Sequence, residues 1–499
     1  MTTTGAFGRD ELSRATGSPT LEGNHIRLQF EGSTTFEAWI EAIDRARKFV
    51  YFENYVVRDD RVGRAFRDAL VDKATQGVPV RVIFDWLGCW ATPRSYWRPL
   101  REAGAEVRAF NPPSLALGDP LGVLQRDHRK LVVVDGDEAF VGGFCVGEEW
   151  AGSRSRAPWR DTGVEIHGPA ARAAALAFER LWGEMGEPCT FAAAMGDPDT
   201  AGGMPVWLIE GEPGRARVYR TLHLTSVLAR QRLWITDAYF VAPRPLSEAL
   251  ATAAQQGVDV RILVPAYNNW PWVRSISRGG YRFLLENGVR IFEWQGPMMH
   301  AKTTVADGVW CRVGSSNLNN ASLIGNWELD VAVLDRGLAA QLEGLFLADL
   351  ASSREIILPR ARVARALVTG PGAPPPPQVS LDPEGPLHER LERMRSSRGK
   401  LGMAGLVRAG SAFGGALAGN RTLGREDRTV LGTVAVAFLV VGGLAMLLPT
   451  LVGWAFASLA LWFGSVAGIR ALAQARRARS EERQESAPDE GDTEGEPST

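Results

Sequence analysis

Short apolar runs alternate with stretches of helical period between residues 24 and 355, and the same order of signals occurs twice. The apolar runs lie at 49–55, 77–84 and 104–110 in the first pass and at 233–239, 257–264 and 288–292 in the second. Tyr55 and Tyr239, which close the first run of each pass, lie 184 residues apart. The pattern predicts two similar α/β halves on largely parallel sheets, although two unrelated α/β domains can also resemble each other.

The character of the chain changes beyond about residue 360, where a proline run is followed by a basic stretch and a long uncharged stretch. Proline-rich segments form stiff, extended linkers. The predicted segments are a flexible tail at 1–22, a first half at 23–200, a second half at 201–360, a Pro-rich then basic linker at 361–428, a two-helix membrane hairpin at 429–469 and a charged tail at 470–499.

The membrane hairpin is predicted from 41 consecutive residues without a charge, at 429–469. Pro449 divides this stretch into two spans, each near the roughly 20 residues that cross a bilayer. Arginines flank the stretch on both sides, which predicts that both flanks and the catalytic body lie on the cytoplasmic side of a bacterial-type cytoplasmic membrane. A buried hairpin in a soluble core is the alternative.

Composition and charge exclude several classes of protein. The chain has 499 residues, of which 45% are hydrophobic and 23% charged, so it is neither disordered nor a small disulfide scaffold. The net charge is −1, and residues 1–389 carry about −4, which argues against a nucleic-acid partner. The four cysteines form no CxxC pair, so neither a zinc site nor a disulfide framework is predicted.

The same candidate catalytic motif occurs in both halves of the repeat. Each half contains a His-x-Lys-x-x-x-x-Asp motif followed after six residues by a Gly-rich turn. The motif residues are His128, Lys130 and Asp135 in the first half and His300, Lys302 and Asp307 in the second. Because the residues after each lysine form a predicted strand, the histidine and lysine project to the same side of the chain.

This pair of motifs suits phosphoryl transfer. An imidazole can attack phosphorus, and a second imidazole can protonate the leaving alkoxide and then deprotonate an incoming alcohol. Two ammonium groups can neutralise the phosphate oxygens, so no metal ion is required, and lysine is a poor metal ligand. We therefore predict catalysis without a metal or other cofactor.

The paired motifs resemble those of the phospholipase D superfamily, and within it the bacterial cardiolipin synthases. Supporting stretches lie at 110–113, 126–130, 141–143, 159–162, 288–293 and 314–318. The resemblance spans residues 24–355 and implies two pseudo-symmetric α/β lobes around one active site. It also implies a covalent phosphohistidine and phospholipid substrates, with phosphatidylglycerol among them.

The resemblance extends to residues around the motifs. It implies that Glu328 and Asp161 orient the imidazoles, and Glu328 is expected beside His300 because both lie in the second half. Ser315 and Asn317 are expected to bind phosphate, with a weaker contribution from Cys145, whose thiol is a poor donor. Asp135 and Asp307 are expected to brace the turn that ends each motif.

The resemblance favours His128 as nucleophile and His300 as general acid and then base. The local chemistry leaves the reverse assignment open, since the complete Gly-Ser-Ser-Asn turn belongs to the second half.

Two Trp-containing stretches, 85–94 and 267–274, follow corresponding predicted strands. Loops in this position border the ligand cleft of α/β sheets. Aromatic rings beside arginines suit a lipid headgroup region, although base stacking and core packing use the same residues.

The leading functional hypothesis is a membrane-bound phosphatidyltransferase that makes cardiolipin. Its alternatives are a hydrolase that releases phosphatidic acid, a phosphodiesterase or nuclease, and a catalytically inactive scaffold.

Overall fold

The computed structural model describes residues 7–112, 125–269 and 271–358, together with residues 450, 454, 458 and 461. The chain divides into two units, Met1–Arg398 and Gly399–Thr499. The first unit contains both predicted halves, and all strands named below belong to it.

The first half follows an N-terminal helix and contains seven strands. Its elements are α1 (Arg9–Thr16), β1 (Leu21–Gln29), α2 (Gly32–Arg45), β2 (Val50–Asn54), α3 (Arg61–Thr75), β3 (Val80–Asp85), α4 (Arg98–Glu102), β4 (Glu106–Phe110), β5 (Lys130–Val134), β6 (Glu138–Gly142), α5 (Glu148–Ala151), β7 (Gly163–His167) and α6 (Pro169–Glu184). The second half repeats the order and adds one strand. Its elements are β8 (Met204–Gly211), α7 (Arg217–Leu228), β9 (Arg232–Thr236), α8 (Arg244–Gln255), β10 (Asp259–Pro265), α9 (Pro271–Glu286), β11 (Arg290–Trp294), β12 (Thr303–Ala306), β13 (Trp310–Gly314), β14 (Glu328–Leu334), α10 (Arg336–Ala351) and β15 (Ser353–Ile356).

The two halves have the same strand order. It is β1-β7-β6-β5-β2-β3-β4 in the first half and β8-β14-β13-β12-β9-β10-β11 in the second, with β15 at the outer edge. An antiparallel pairing of β1 with β8 joins them into a 15-stranded sheet. The predicted architecture of two pseudo-symmetric α/β lobes is confirmed.

The prediction of largely parallel sheets is wrong. Within the described residues, only β2–β3, β3–β4, β9–β10 and β10–β11 pair in parallel. The motif strands β5 and β12 instead turn back at once into β6 and β13. Asp135-Gly136 and Asp307-Gly308 both have positive φ, and the turns are closed by backbone hydrogen bonds of 3.2 and 3.1 Å. An Asp-Gly pair with this backbone favours a tight hairpin, which requires antiparallel strands.

Apolar side chains occupy three layers. Helices α2, α3 and α4 cover one face of the first half, and α7, α8 and α9 cover the matching face of the second. On the other face, α6 and α10 pack with strands of both halves in one shared core. The halves therefore share a core as well as a sheet, which holds their motifs in a fixed relation.

Part of the predicted flexible tail is ordered. Helix α1 buries Leu12, and Phe7 stacks on Trp310 with ring centroids 6.2 Å apart. The apolar contacts of these two side chains fix a segment that its Thr- and Gly-rich composition marked as loose.

No helix among the described residues has the length and apolar character needed to span a bilayer. The predicted linker at 361–428 and tail at 470–499 lie outside the described residues. So does the predicted hairpin at 429–469, except for four helical positions, all of which are exposed.

Candidate active site

The two motif histidines are each positioned by a backbone bridge to the opposite half. His128 N donates to Trp327 O at 2.9 Å, and Trp327 N donates to Arg126 O at 2.9 Å. In the pseudo-symmetric position, His300 N donates to Arg160 O at 2.7 Å, and Arg160 N donates to Met298 O at 2.9 Å. The start of each motif is thus hydrogen-bonded to the segment just before the other half's candidate acid.

The bridges produce a crossed pairing of histidines and acids. His128 Nδ1 lies 3.0 Å from Glu328 Oε2, and His300 Nδ1 lies 2.6 Å from Asp161 Oδ2. The expectation that Glu328 sits beside His300 is therefore wrong. Because Trp327 bridges to the segment before His128, the next residue, Glu328, meets His128 across the boundary between the halves.

Each acid is held by donors of its own. Glu328 accepts hydrogen bonds from the Ser315 and Ser322 hydroxyls, and Ser315 Oγ accepts from Leu329 N at 2.9 Å. All these side chains are buried. With both oxygens occupied, the Glu328 carboxyl has one orientation towards His128.

Asp161 uses different donors. Trp150 Nε1 donates to Asp161 Oδ2 at 3.0 Å, and Thr162 N donates to Oδ1 at 2.8 Å. The position that corresponds to Ser315 is Gly143, where a Cβ would lie 2.0 Å from Asp161 Oδ1. The first half therefore lacks a serine hydroxyl here because the carboxylate of Asp161 fills the space.

The motif lysines lie against the histidines. The Lys130 ammonium donates to His128 O, and the Lys302 ammonium donates to His300 O. Lys302 Nζ also lies 3.0 Å from His300 Nδ1. Both lysines are fully buried, so the site concentrates positive charge where an anion can bind.

Burial and nearby charges lower the pKa of both histidines and of Lys302. Burial, then Lys130 and Lys302, lowers the pKa of His128 well below its usual range. Burial, then Lys302, lowers the pKa of His300 to about 3, and burial lowers the pKa of Lys302 to about 8. Both histidines are thus neutral imidazoles before a substrate binds.

The two acids differ. Burial raises the pKa of Glu328 to about 7. Burial also disfavours the ionised form of Asp161, but His300 and Lys302 outweigh it and hold the pKa of Asp161 below its usual value. Asp161 is therefore the carboxylate that stays charged beside its histidine.

Comparison with known proteins identifies the family of this chain. A family model described as "Cardiolipin synthase, PLD-like domain" matches residues 39–182 and 227–350. Cardiolipin synthase A of Pseudomonas aeruginosa is 34% identical over 371 residues, covering 73% of this chain and 74% of the relative. Cardiolipin synthase A of Pseudomonas fluorescens is 36% identical over 357 residues, covering 70% and 73%.

The chain belongs to the cardiolipin synthase family of phospholipase D-like proteins. The two segments that match the family model contain His128 with Asp161 and His300 with Glu328, respectively. The crystal structure of phosphatidylserine synthase from Haemophilus influenzae is similar in fold, with a TM-score of 0.54, 16% identity, and coverage of 69% of this chain and 92% of that one.

In this cardiolipin synthase-family chain, Asp135 and Asp307 lie away from the histidines, although the motif includes them. Asp135 accepts hydrogen bonds from the backbone of residues 47–49, and Asp307 accepts from that of residues 230–232. Each follows a strand whose rise of about 3.3 Å per residue separates it from its lysine by roughly 16 Å. They brace the hairpins, as expected, and take no part in the cluster around the histidines.

The remaining candidates of the family site are buried. Asn317 Oδ1 has no hydrogen-bond partner among the described residues, and as an acceptor it can receive a hydrogen bond from a ligand hydroxyl but not from a phosphate oxygen. Cys145 occupies the corresponding place in the first half, and burial raises the pKa of its thiol. A neutral thiol is a weak donor, which makes support of a phosphate unequal between the halves.

The sequence interpretation missed two tyrosines as site residues. The Tyr55 ring lies 4.8 Å from the His128 ring, and the Tyr239 ring lies 6.0 Å from the His300 ring, both edge-on. Lys130 Nζ also lies 5.1 Å from the centre of the Tyr55 ring. Their matched place at the ends of two predicted strands was the available signal.

Among the described residues, one group could in principle hold a metal ion, formed by Glu138, Glu165 and His167. It lies on β6 and β7, apart from the histidine cluster, and arginines already pair with both of its acids.

Proposed function

We propose that this protein is a phosphatidyltransferase, specifically a cardiolipin synthase that transfers a phosphatidyl group to phosphatidylglycerol through a phosphohistidine. The crossed pairing of two histidines with two buried carboxylates carries this proposal, because it supplies one nucleophile and one acid–base group at one place. The names of the relatives, cardiolipin synthase A, support the choice of substrate.

In the first half-reaction, His128 Nε2 attacks the phosphorus of a donor phospholipid such as phosphatidylglycerol. A P–N bond forms and the P–O bond to the headgroup alcohol breaks. His300, which takes up a proton from solvent when the phosphate anion binds, gives that proton to the departing oxygen. Glu328 accepts a hydrogen bond from Nδ1–H of His128, which keeps Nε2 unprotonated and free to attack.

In the second half-reaction, His300 removes the proton from a glycerol hydroxyl of phosphatidylglycerol. The resulting oxygen attacks phosphorus, the P–N bond breaks, and His128 returns to a neutral imidazole. The products are cardiolipin and the alcohol released in the first step. Water in place of the lipid alcohol would give phosphatidic acid by the same steps.

The assignment of His300 as the acid follows from its carboxylate. A charged Asp161 at 2.6 Å stabilises an imidazolium more than Glu328, whose pKa is raised to about 7, can stabilise one at His128. The phosphate anion of a bound lipid adds to this effect and favours the protonated form of His300.

Charge neutralisation falls to Lys130 and Lys302, whereas the Ser315 hydroxyl, expected to bind phosphate, already donates to Glu328. As the phosphorus becomes five-coordinate, the non-bridging oxygens gain negative charge, and fixed ammonium groups stabilise it without reorganisation. Residues 429–469 provide the membrane attachment in this proposal, with the catalytic body on the cytoplasmic side.

The test is to incubate the purified full-length protein with phosphatidylglycerol, with and without phosphatidylethanolamine, and to separate the lipids by thin-layer chromatography and mass spectrometry. The proposal predicts cardiolipin in wild-type samples and none with His128→Ala. Phosphatidic acid as the main product would instead establish a hydrolase.

A further inference from the structure

The loop after β3 exposes large apolar side chains. In residues 86–94, here called the β3 loop, Trp90 is 74% exposed, Leu87 48% and Trp86 37%. Three such side chains within five residues form a local apolar surface, which soluble surfaces seldom carry without a partner.

The β3 loop contacts residues that surround the active site. Val57 N donates to Cys89 Sγ at 3.2 Å, and a Cβ at Gly88 would lie 1.9 Å from Tyr55 O. The glycine therefore permits the loop to rest on the backbone of the tyrosine whose ring contacts His128. The loop therefore lies against the residue that contacts the proposed nucleophile.

The second half carries a matching loop after β10. In residues 267–269, here called the β10 loop, Tyr267 is 60% exposed. Asn269 Oδ1 accepts a hydrogen bond from the Tyr239 hydroxyl at 2.7 Å, and Asn268 Nδ2 donates to Ala238 O at 3.1 Å. This loop is hydrogen-bonded to the tyrosine whose ring contacts His300. Each motif histidine therefore has a loop with an exposed aromatic side chain near it.

Basic residues lie in and after the β3 loop. Residues 86–101 contain three arginines, of which Arg98 pairs with Glu102 at 3.5 Å, whereas residues 1–389 carry about −4. A cavity of about 410 Å³ lies beside the loop, and its lining includes Phe84, Trp86, Trp90, Trp97, Arg94 and Arg101. Aromatic rings with arginines suit the boundary between acyl chains and anionic headgroups.

We propose that the β3 and β10 loops together form the surface that contacts an anionic phospholipid bilayer during catalysis, with Leu87 and Trp90 inserted at the headgroup level. The contact places the mouth of the active site on its lipid substrates. This inference rests on the proposed function, and its test separates the two.

The first arm compares turnover on two substrates with the full-length chain. Leu87→Ser/Trp90→Ser should lose roughly tenfold or more on phosphatidylglycerol vesicles, because two buried apolar contacts are lost. It should stay within about twofold of wild type on monomeric short-chain phosphatidylglycerol, which needs no interface. The matched control is Val227→Ser, which removes a 54% exposed apolar side chain on α7 and should change neither rate.

The second arm reports insertion directly. The native cysteines are all buried, so Trp90→Cys offers a single accessible thiol for an environment-sensitive fluorophore. Phosphatidylglycerol vesicles should shift its emission to the blue, and brominated acyl chains should quench it, whereas a label at Val227→Cys should not respond. Arg94→Gln/Arg101→Gln should weaken the response about fivefold per arginine at low salt.

The outcomes are distinct. Equal losses on vesicles and monomers, undiminished turnover on vesicles, or an unshifted label at position 90 would each overturn the proposed surface. A blue shift without lipid would point to a protein contact and would also overturn it. If wild type turns over no monomeric phosphatidylglycerol, the proposed function itself fails.

Discussion

The crossed pairing predicts that the two carboxylates affect different chemical steps. Asp161→Asn keeps the shape of the side chain but removes the charge that stabilises the His300 imidazolium. The Asp161–His300 contact is 2.6 Å long and fully buried, and a hydrogen bond to a charged group contributes about 1.5–3 kcal/mol. Expulsion of a glycerol headgroup should therefore slow roughly 10- to 150-fold.

A donor with a better leaving group separates acid catalysis from nucleophilic attack. The p-nitrophenyl ester of phosphatidic acid releases a phenolate that needs no proton. Rapid-mixing measurements of its first-turnover burst should give Asp161→Asn a rate within about threefold of wild type. Glu328→Gln should slow both donors, since Glu328 supports the attacking imidazole.

A matched control tests whether loss of any buried carboxylate has this effect. Asp349 is buried and accepts from Arg160 Nε at 3.0 Å, yet it contacts no histidine. Asp349→Asn should therefore change the two donors by the same factor. If Asp161→Asn slows both donors equally while Glu328→Gln spares the nitrophenyl ester, the roles of the histidines are reversed and the reasoning is refuted.

Three further predictions concern charge, space and metal dependence. Because burial lowers the pKa of Lys302 to about 8, kcat/KM should fall as pH rises through about 8, and Lys302→Arg should move this limb to higher pH; an unmoved limb would contradict the assignment. Gly143→Ser should displace Asp161 and remove most turnover with the fold intact by circular dichroism, whereas Gly279→Ser, which meets no atom within 4 Å, should not. Turnover should persist in EDTA, because ammonium groups neutralise the phosphate; full loss restored by a divalent ion would overturn this site.

The two-lobed fold could be predicted from the sequence, and so could the meeting of both His-x-Lys pairs at one site. This prediction rests on the motif residues at corresponding positions of the two repeats, since His128 and His300 occur in the same sequence context. The apolar runs alone do not indicate the hairpins, although Asp135-Gly136 and Asp307-Gly308 are strong turn signals.

Neighbouring residues in the sequence do not indicate which acid pairs with which histidine. Glu328 is 28 residues from His300 and 200 from His128 along the chain, and only the bridge through Trp327 reverses the order of proximity. The place of Gly143 is similar, because its fit against Asp161 depends on a carboxylate from outside its own turn. Both contacts depend on tertiary packing, which spacing along the chain does not encode.

The central claim is that His128 carries the phosphatidyl group, and trapping that adduct tests it most directly. The His300→Ala variant lacks the base for the second half-reaction, so a nitrophenyl donor with labelled, ether-linked alkyl chains, which survive alkali, should leave the group on the enzyme. After an alkaline quench, where P–N bonds survive, mass spectrometry of peptides should find the adduct on His128 and none in His128→Ala. An adduct found on His300 in the His128→Ala variant, with none on His128 in His300→Ala, would contradict the account.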